Sequence, residues 1–322
     1  MKVLTIGTGV IGTIYSWILA QQGCNVTHYV RNGKSSQINS DIKIDILDKR
    51  KGHKTRYNST YHYNLIETLD PDNNYDYIII AVRVRQLEAL LQDIKGRTGN
   101  ACCVIFTGQW RDVEWIEAYL PKGGFVFSDP IAGGRFYGDT LVAALNNKLP
   151  LGEVGESRSE RLLALGEQFE HARIKPVYHK HIVHWHWLQY ALNAAMWGAL
   201  VRAGSVVAAA GDKRLVGLVL RATTEAIQVC ERRGVDLDEF PEVKTYTNLG
   251  GFKTWVMRAG FKWMMKHSEY HRRCSLHGLD DPKEIKLFYN AVLETGQEMG
   301  LPMTAYREFQ KDIDALELFV EN

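Results

Sequence analysis

A glycine-rich turn near the N-terminus is the feature that most constrains the fold of this chain. The segment Gly7-Thr8-Gly9-Val10-Ile11-Gly12 has the spacing G-x-G-x-x-G. An apolar run of strand length, Val3–Ile6, precedes it, and apolar residues follow at helical spacing from Ile11 to Gln21. This order of strand, glycine turn and helix is the context in which the motif predicts a dinucleotide-binding site. The three glycines then permit a tight turn, close approach of a pyrophosphate, and close packing of the helix on the strand.

Strand-like and helical segments alternate through the first half of the chain. The predicted strands are Asn25–Val30, Asp41–Asp48, Tyr77–Val82, Cys102–Phe106, Phe125–Ser128, Pro150–Val154 and Ile174–Tyr178, with a helix at Leu87–Ile94 and a turn at Lys49–Arg56. Alternation of this kind predicts a parallel sheet with helices on its faces. Asp41–Asp48 alternates apolar and polar residues, which predicts a half-buried antiparallel strand.

The pattern changes near residue 180. Long helical stretches at Ile182–Val201, Lys213–Arg233 and Glu284–Met299 replace the strand signals. The sequence therefore predicts an α/β chain with two domains. A Rossmann-type parallel-sheet domain at 1–179 would bind the dinucleotide, and an all-helical domain at 180–322 would serve substrate binding or dimerisation.

The residues after the second predicted strand bear on the choice of dinucleotide. An NAD site usually has an acidic residue here, which binds the ribose 2′-hydroxyl. This chain has Val30-Arg31-Asn32-Gly33-Lys34 instead. The planar guanidinium of Arg31 could pair with a 2′-phosphate, and no carboxylate at this strand end would repel that phosphate. The sequence therefore favours NADP(H), unless Arg31 is only a solvated loop residue.

Composition and charge argue against several other classes of protein. The formal net charge of +2 does not favour nucleic acid or an anionic membrane as the main partner. The five cysteines are widely spaced and include no C-x-x-C, which argues against a disulfide framework or a zinc site and favours a reducing cytosol. Glycines interrupt the uncharged stretch Val3–Gly23, so a signal peptide is the weaker interpretation of it. We therefore expect a cytoplasmic protein with a small-molecule substrate.

The order of these features resembles the ketopantoate reductase (2-dehydropantoate 2-reductase) family over nearly the whole chain. The likeness comprises the first β-α-β unit with Arg31, the segment Ile80-Ala81-Val82-Arg83-Val84-Arg85-Gln86, and the helix at Glu284-Ile285 followed by Gly300-Leu301-Pro302. It implies a helical domain like the C-terminal domain of 6-phosphogluconate dehydrogenase, an active site between the two domains, and reduction of a 2-oxo acid by NADPH. A homodimer is compatible with the resemblance, although the sequence does not determine the oligomeric state.

The resemblance also implies roles for individual residues, some of which are replaced here. Arg83 and Gln86 stand where the family has a lysine and a glutamine near the adenosine end of the cofactor. Thr107 replaces an asparagine that helps to hold the nicotinamide ribose and the substrate. Gln189 replaces the general-acid lysine of the family, whereas the asparagine four residues later is retained as Asn193.

Loss of the lysine leaves the source of the proton open. Carbonyl reduction adds hydride to carbon and a proton to oxygen, and an amide can hydrogen-bond the oxyanion without giving up a proton. His186 lies three residues before Gln189 on the same helix face and titrates in the useful range, so it is either a replacement donor or a plain buried or solvated histidine. Glu284 matches the substrate-binding glutamate of the family. The preceding Asp280-Asp281-Pro282 also marks it as a first-turn carboxylate that complements a helix dipole.

Two further clusters have simpler interpretations. The histidines at 179, 181, 184 and 186 do not share one helix face, and no nearby carboxylate or cysteine completes the group, so we expect no metal site. The segment Phe252–Arg273 mixes aromatic and cationic side chains. We expect an amphipathic helix packed on the C-terminal domain there, with membrane or nucleic-acid contact as the weaker alternatives.

Three functions remain open on the sequence alone. The first is an NADPH-dependent reductase of the ketopantoate reductase superfamily, in which Asn193 and Glu284 position a carbonyl substrate other than ketopantoate itself, and Gln189 and Thr107 replace the usual polar pair. The second is a former reductase that binds NADP(H) as a sensor or scaffold without turnover. The third is an imine or opine-type reductase, in which the amine of the substrate supplies the proton.

Overall fold

The computed structural model of the chain describes residues 1–50, 55–155, 158–247, 251–276 and 278–316, without the side chain of Phe252. The chain divides into two compact units, Met1–Val183 and His184–Asn322. Within the described ranges, every β-strand belongs to the N-terminal unit.

An eight-stranded sheet forms the centre of the N-terminal unit. The described strands are β1 (Lys2–Ile6), β2 (Asn25–Tyr29), β3 (Asp41–Asp48), β4 (Thr55–His62), β5 (Asn64–Ile66), β6 (Tyr77–Ile80), β7 (Cys102–Ile105), β8 (Phe125–Ser128), β9 (Ala132–Tyr137), β10 (Thr140–Leu145), β11 (Lys148–Gly152) and β12 (Lys175–Tyr178). The order across the large sheet is β12-β11-β8-β7-β6-β1-β2-β5. Neighbouring strands run parallel except β8 and β11, which pair antiparallel. The predicted Rossmann-type sheet is therefore confirmed.

Helices flank this sheet and make up the described part of the C-terminal unit. The helices are α1 (Val10–Gln21), α2 (Val84–Ile94), α3 (Glu160–His171), α4 (Ile182–Ala203), α5 (Val206–Gly211), α6 (Lys213–Arg232), α7 (Pro241–Lys244), α8 (Gly251–His267), α9 (Glu269–Cys274), α10 (Pro282–Glu298), α11 (Thr304–Arg307) and α12 (Gln310–Asp314). The three long helical stretches predicted after residue 180 correspond to α4, α6 and α10. The predicted helical character of the C-terminal region is confirmed.

The N-terminal unit also contains a second, four-stranded sheet with the order β4-β3-β10-β9, which the alternating segments do not predict. Strand β3 pairs antiparallel with β4, as its half-buried pattern predicts, and parallel with β10. The prediction of a turn over Lys49–Arg56 is wrong at its end, because β4 begins at Thr55; residues 51–54 lie outside the described residues. Strands β9 and β10 are rich in glycine and alanine, which gives them little periodic apolar signal.

The position of α1 depends on both sheets. The helix contacts β1 and β2 of the large sheet and β9 and β10 of the small one. Its residues from Gly12 to Leu19 are consequently all buried. Because both sheets fix α1, its N-terminus is held at the carboxyl end of β1, where the glycine turn lies.

A buried histidine in β2 makes the stability of the N-terminal unit depend on pH. His28 has no solvent exposure, and its Nε2 lies 3.1 Å from the Tyr61 hydroxyl. Burial lowers the pKa of His28 from 6.5 to about 4. The unfolded chain therefore takes up a proton between those pH values that the folded chain does not. We expect the free energy of unfolding to fall by up to about 3 kcal/mol on this account as the pH falls from 6.5 to 4.

The variant His28→Phe tests this expectation through urea unfolding at several pH values. It should remove most of the dependence between pH 6.5 and 4.5, whatever it does to stability at pH 7. His62→Gln is the matched control, because the imidazole of His62 is 67% exposed and should contribute far less. Identical pH slopes for the wild type and His28→Phe would show that His28 is not the group responsible.

Candidate functional site

The three motif glycines have three different surroundings, and those of Gly7 and Gly12 match the steric roles predicted for them. Gly7 has φ +116°, a backbone conformation that L side chains rarely adopt, and a Cβ there would overlap the carbonyl of Ala81. A Cβ on Gly12 would overlap the carbonyl oxygen of Gly7. A Cβ on Gly9 would meet no atom within 4 Å. Gly7 and Gly12 are therefore required by the fold, whereas the space above Gly9 is open to a ligand.

The N-terminus of α1 is suited to bind an anion. Gly9 is the N-cap residue, so no side chain caps the helix, and its first turn contains no acidic residue. The first N–H groups of a helix have no acceptor inside the helix, and together they carry a partial positive charge. Thr8, Val10 and Ile11 complete this turn, and their contribution is through the backbone. A pyrophosphate placed above Gly9 would accept hydrogen bonds from these N–H groups.

Other predicted cofactor residues lie at the same edge of the large sheet. Arg31 follows β2 by two residues and is exposed. Thr107 follows β7 by two residues and is 4% exposed; its hydroxyl donates a hydrogen bond of 2.9 Å to the carbonyl of Val82, which follows β6. Because parallel strands end at a common edge, Arg31 and Thr107 lie on the side of the sheet where the glycine turn lies.

Gln86 has a structural role that the family resemblance does not imply. Arg83 is the N-cap residue of α2, and its backbone N–H donates to the Gln86 side-chain oxygen at 3.3 Å. Gln86 is thus the partner that closes the first turn of α2. Its two amide hydrogens remain as potential donors, so binding of the cofactor by Gln86 stays a prediction.

Glu67 is a residue at this edge that the sequence reasoning missed. It follows β5, which pairs parallel with β2, and its carboxylate accepts a hydrogen bond of 2.7 Å from the backbone N–H of Ser35. Hydrogen bonds from Ser35, and further ones from the backbone of Gly33 and Lys34, lower the pKa of Glu67 to about 2. The end of the second strand itself carries no acidic residue, as expected, but Glu67 brings a carboxylate to the turn at residues 33–35 from the neighbouring strand.

In the C-terminal unit, three predicted residues share one face of α4. His186, Gln189 and Asn193 are spaced three and four residues apart, so their side chains lie on neighbouring turns. His186 is 2% exposed, Gln189 is half-buried and Asn193 is exposed. The face therefore runs from the interior of the unit to its surface, with the amide side chains at the accessible end.

Glu284 lies in the first turn of α10 and beside α4. Asp281 is the N-cap of α10, and its carboxylate accepts a 3.0 Å hydrogen bond from the backbone N–H of Glu284. Glu284 is 5% exposed. Burial of Tyr190 raises the pKa of its hydroxyl, and the nearby charge of Glu284 raises it further. Tyr190 in turn stacks on Phe288 with ring centroids 3.6 Å apart. The helix start predicted before Glu284 is thus confirmed, and Glu284 lies close to the residue that follows Gln189.

The remaining clusters provide no alternative site. Among the described residues, no group of three or more histidine, cysteine, aspartate or glutamate side chains is arranged to hold a metal ion. The segment Phe252–Arg273 is split between α8 and α9. Helix α8 contacts α5 and α6 of its own unit, yet Trp255 and Trp263 are 55% and 67% exposed, so the expected packing of its aromatic residues is wrong for these two. Within the described ranges, no helix has the length and apolar character that a membrane crossing requires.

Comparisons with known proteins agree with this geometry. Residues 3–109 match the family model described as ketopantoate reductase PanE/ApbA. The oxidoreductase YkpB of Bacillus subtilis (strain 168) is 23% identical over 308 residues, which cover 92% of this chain and 96% of YkpB.

Solved structures show the same fold over the whole length of the chain. D-mandelate dehydrogenase, in a ternary structure with NADH and anilino(oxo)acetate, has a TM-score of 0.75 at 15% identity and full coverage of both chains. The dimeric ketopantoate reductase of Staphylococcus aureus has a TM-score of 0.68 at 15% identity, with 99% of each chain covered. Residues 3–109, which contain the glycine turn, thus match the ketopantoate reductase family model, and the resemblance expected from the sequence is confirmed.

Proposed function

We propose that this protein is an NADPH-dependent oxidoreductase that reduces a 2-oxo acid or a related carbonyl compound. The observation that supports this most is the open space above Gly9, at a helix N-terminus without a side-chain cap. Such a terminus suits the pyrophosphate of a dinucleotide. D-mandelate dehydrogenase, which shares the fold, binds NADH. Nicotinamide dinucleotides supply hydride, which would go to the carbonyl carbon of the substrate.

The substrate class is supported by the relatives and by the amide side chains of α4. Anilino(oxo)acetate, the molecule bound in the ternary structure of D-mandelate dehydrogenase, contains an oxo group next to a carboxylate. In this chain, Asn193 is exposed and Gln189 half-buried on one helix face, so both can donate hydrogen bonds to substrate oxygens. Glu284 would orient a hydroxyl or amine of the substrate. Thr107 would take the place of the amide at the nicotinamide ribose.

The proton that completes the reduction needs a donor other than Gln189. A carboxamide can stabilise an oxyanion but has no proton to give near neutral pH. His186 is the titratable side chain that shares the helix face of Gln189, one turn away. We propose that His186 supplies the proton to the carbonyl oxygen, directly or through a water molecule. Substitution of His186 by Gln should then lower kcat by about 100-fold or more and leave cofactor affinity unchanged.

Spectroscopic assay of NADPH oxidation tests the proposal. The purified protein should oxidise NADPH steadily with at least one member of a panel of 2-oxo acids and ketones, with ketopantoate included for comparison. Tight binding of NADPH without turnover on any of them would instead favour the sensor or scaffold function. The sensor or scaffold function would use the same cofactor site and would differ only in lacking hydride transfer to a substrate.

Arg31 is the residue on which the preference for NADPH rests. A charge-assisted pair of its guanidinium with the 2′-phosphate would be lost in Arg31→Gln. We expect the Kd for NADPH to rise by about tenfold or more and the Kd for NADH to change by less than about threefold. Arg31→Lys, which keeps the charge but loses the planar fork, should fall between the two. Equal losses for both dinucleotides would contradict the proposed role.

The variant Glu67→Gln provides a second test, by the same comparison of the Kd for NADPH and for NADH. Its carboxylate holds the turn at residues 33–35 and places a negative charge near the expected 2′-phosphate. If repulsion dominates, Glu67→Gln should tighten the binding of NADPH relative to NADH. If it binds the ribose 2′-hydroxyl, as an acidic residue does in NAD sites, the variant should weaken NADH binding selectively, and the proposal of NADPH preference would be wrong.

A further inference from the structure

A pocket of about 550 Å³ lies wholly within the C-terminal unit. It lies along α6, and the end of α4 and the start of α11 complete its walls. Its lining includes three arginines and two leucines, namely Arg202, Arg214, Leu215, Leu218 and Arg221. Its size is in the range of small-molecule sites in proteins. None of these residues has a role in the dinucleotide or carbonyl site proposed above.

Two of the three carboxylates that line the pocket are already bound by backbone N–H groups. Asp212 caps α6 and accepts hydrogen bonds from the backbone N–H groups of Arg214 and Leu215, at 2.8 and 3.1 Å. Glu225 accepts hydrogen bonds of 3.0 and 2.8 Å from the backbone N–H groups of Ala305 and Tyr306. Both carboxylates are therefore held at helix starts by backbone N–H groups, where they keep their negative charge.

The arginines differ in their partners. Arg202 forms an ion pair with Asp312 at 2.8 Å and donates to the carbonyl of Glu308. Across the described part of the chain, neither Arg214 nor Arg221 forms an ion pair. Two guanidinium groups thus border one pocket without a direct ion-pair partner among the described residues.

Both arginines belong to α6 and line the same pocket. A Cβ built on Gly217 would lie 3.7 Å from Nη1 of Arg221, so the Arg221 side chain runs back along the helix by one turn. An anion in the pocket would therefore be attracted by both guanidinium groups.

We propose that this pocket binds a small organic anion whose carboxylate or phosphate group pairs with Arg214 and Arg221. Guanidinium groups bind both oxyanions through parallel N–H donors, and two of them suit a ligand with more than one negative charge. Leu215 and Leu218 provide the apolar wall for the rest of the ligand. Glu308, the remaining acidic residue of the lining, is exposed and, like Asp212 and Glu225, disfavours an anion through its charge.

Calorimetric titration with inorganic pyrophosphate and with succinate, at matched ionic strength, tests the proposal. At least one probe should bind the wild type saturably, and the double variant Arg214→Gln/Arg221→Gln should raise its Kd by about tenfold or more. Binding of pyrophosphate alone would identify a phosphate ligand, and binding of succinate alone a carboxylate ligand. Glu308→Gln should tighten binding about twofold or more, because it removes a repulsive charge.

Two controls separate this pocket from other anion sites. Arg232→Gln removes one positive charge, as each of the two substitutions in the double variant does, at an exposed position on the same helix away from the pocket, and should leave the Kd within about twofold of the wild type. The titrations are repeated in the Gly9→Asp background, which blocks pyrophosphate at the glycine turn, and the double variant should raise the Kd there by the same factor. The proposal is overturned if neither probe binds the wild type, or if the double variant binds as well as the wild type. Either outcome leaves the proposed reductase function untouched.

Discussion

Substitution of Gly9 by Asp should abolish measurable dinucleotide binding while leaving the fold at least as stable. The N-cap position has φ −76° and ψ −175°, which any L residue adopts, and a Cβ there meets no atom within 4 Å. Aspartate is a favoured N-cap residue and should stabilise the chain by about 0.3 kcal/mol relative to glycine. The same carboxylate would lie against the pyrophosphate. Like charges in contact cost several kcal/mol, so we expect the Kd to rise by about 100-fold or more.

The variant Gly9→Asn separates charge from size. It has the same shape and the same capping ability without the negative charge, so its loss of affinity should be smaller than that of Gly9→Asp. Thermal unfolding of both variants at pH 7 checks that the fold is retained. A Gly9→Asp protein that binds NADPH as the wild type does would place the dinucleotide away from the glycine turn.

Substitution of Gln189 by Lys should produce or strongly increase the reduction of ketopantoate. Lysine would restore the cationic general acid that the family has at this position, and a positioned general acid contributes about 10²–10⁴-fold to the rate. Gln189 is half-buried, so a lysine ammonium there can remain solvated and charged. The measurement is kcat/KM for ketopantoate with NADPH, for the variant and the wild type side by side.

Gln189→Arg is the matched control for charge. Its guanidinium stabilises an oxyanion but gives up no proton near neutral pH, so its gain should be well below that of Gln189→Lys. If Gln189→Lys binds NADPH normally and shows no gain, then Asn193 and Glu284 do not form a substrate site of the ketopantoate reductase type.

The sequence predicts the large sheet well because its buried strands consist of continuous apolar residues. Segments such as Tyr77–Ile80 and Cys102–Ile105 are buried throughout, and only a central parallel strand combines that length with that composition. The same reasoning fails for β4, which is polar and largely exposed, and for β9, whose Gly133 and Gly134 have no side chains to show a pattern. The small sheet forms by pairing between segments that are distant in sequence. A local pattern of apolar and polar residues does not reveal such pairing.

The residues of the candidate site likewise divide into those that the sequence predicts and those that only the structure reveals. The roles of Gly7 and Gly12 follow from their spacing, because each reflects a local steric requirement that the structure reproduces, whereas the cofactor role of Gly9 stays a prediction. Glu67 could not be assigned from spacing, since its contact with Ser35 crosses 32 residues and depends on the pairing of β5 with β2. The Arg214 and Arg221 pair also needed the structure, because only the structure shows that both arginines line one pocket.

The most direct test of the account is calorimetric titration of the pure protein with NADPH, NADP⁺, NADH and NAD⁺. We predict saturable binding of NADPH at one site per chain, with weaker binding of NADH and loss of both in Gly9→Asp. The absence of heat with all four dinucleotides, from protein that unfolds cooperatively, would contradict the central claim that the glycine turn is a dinucleotide site.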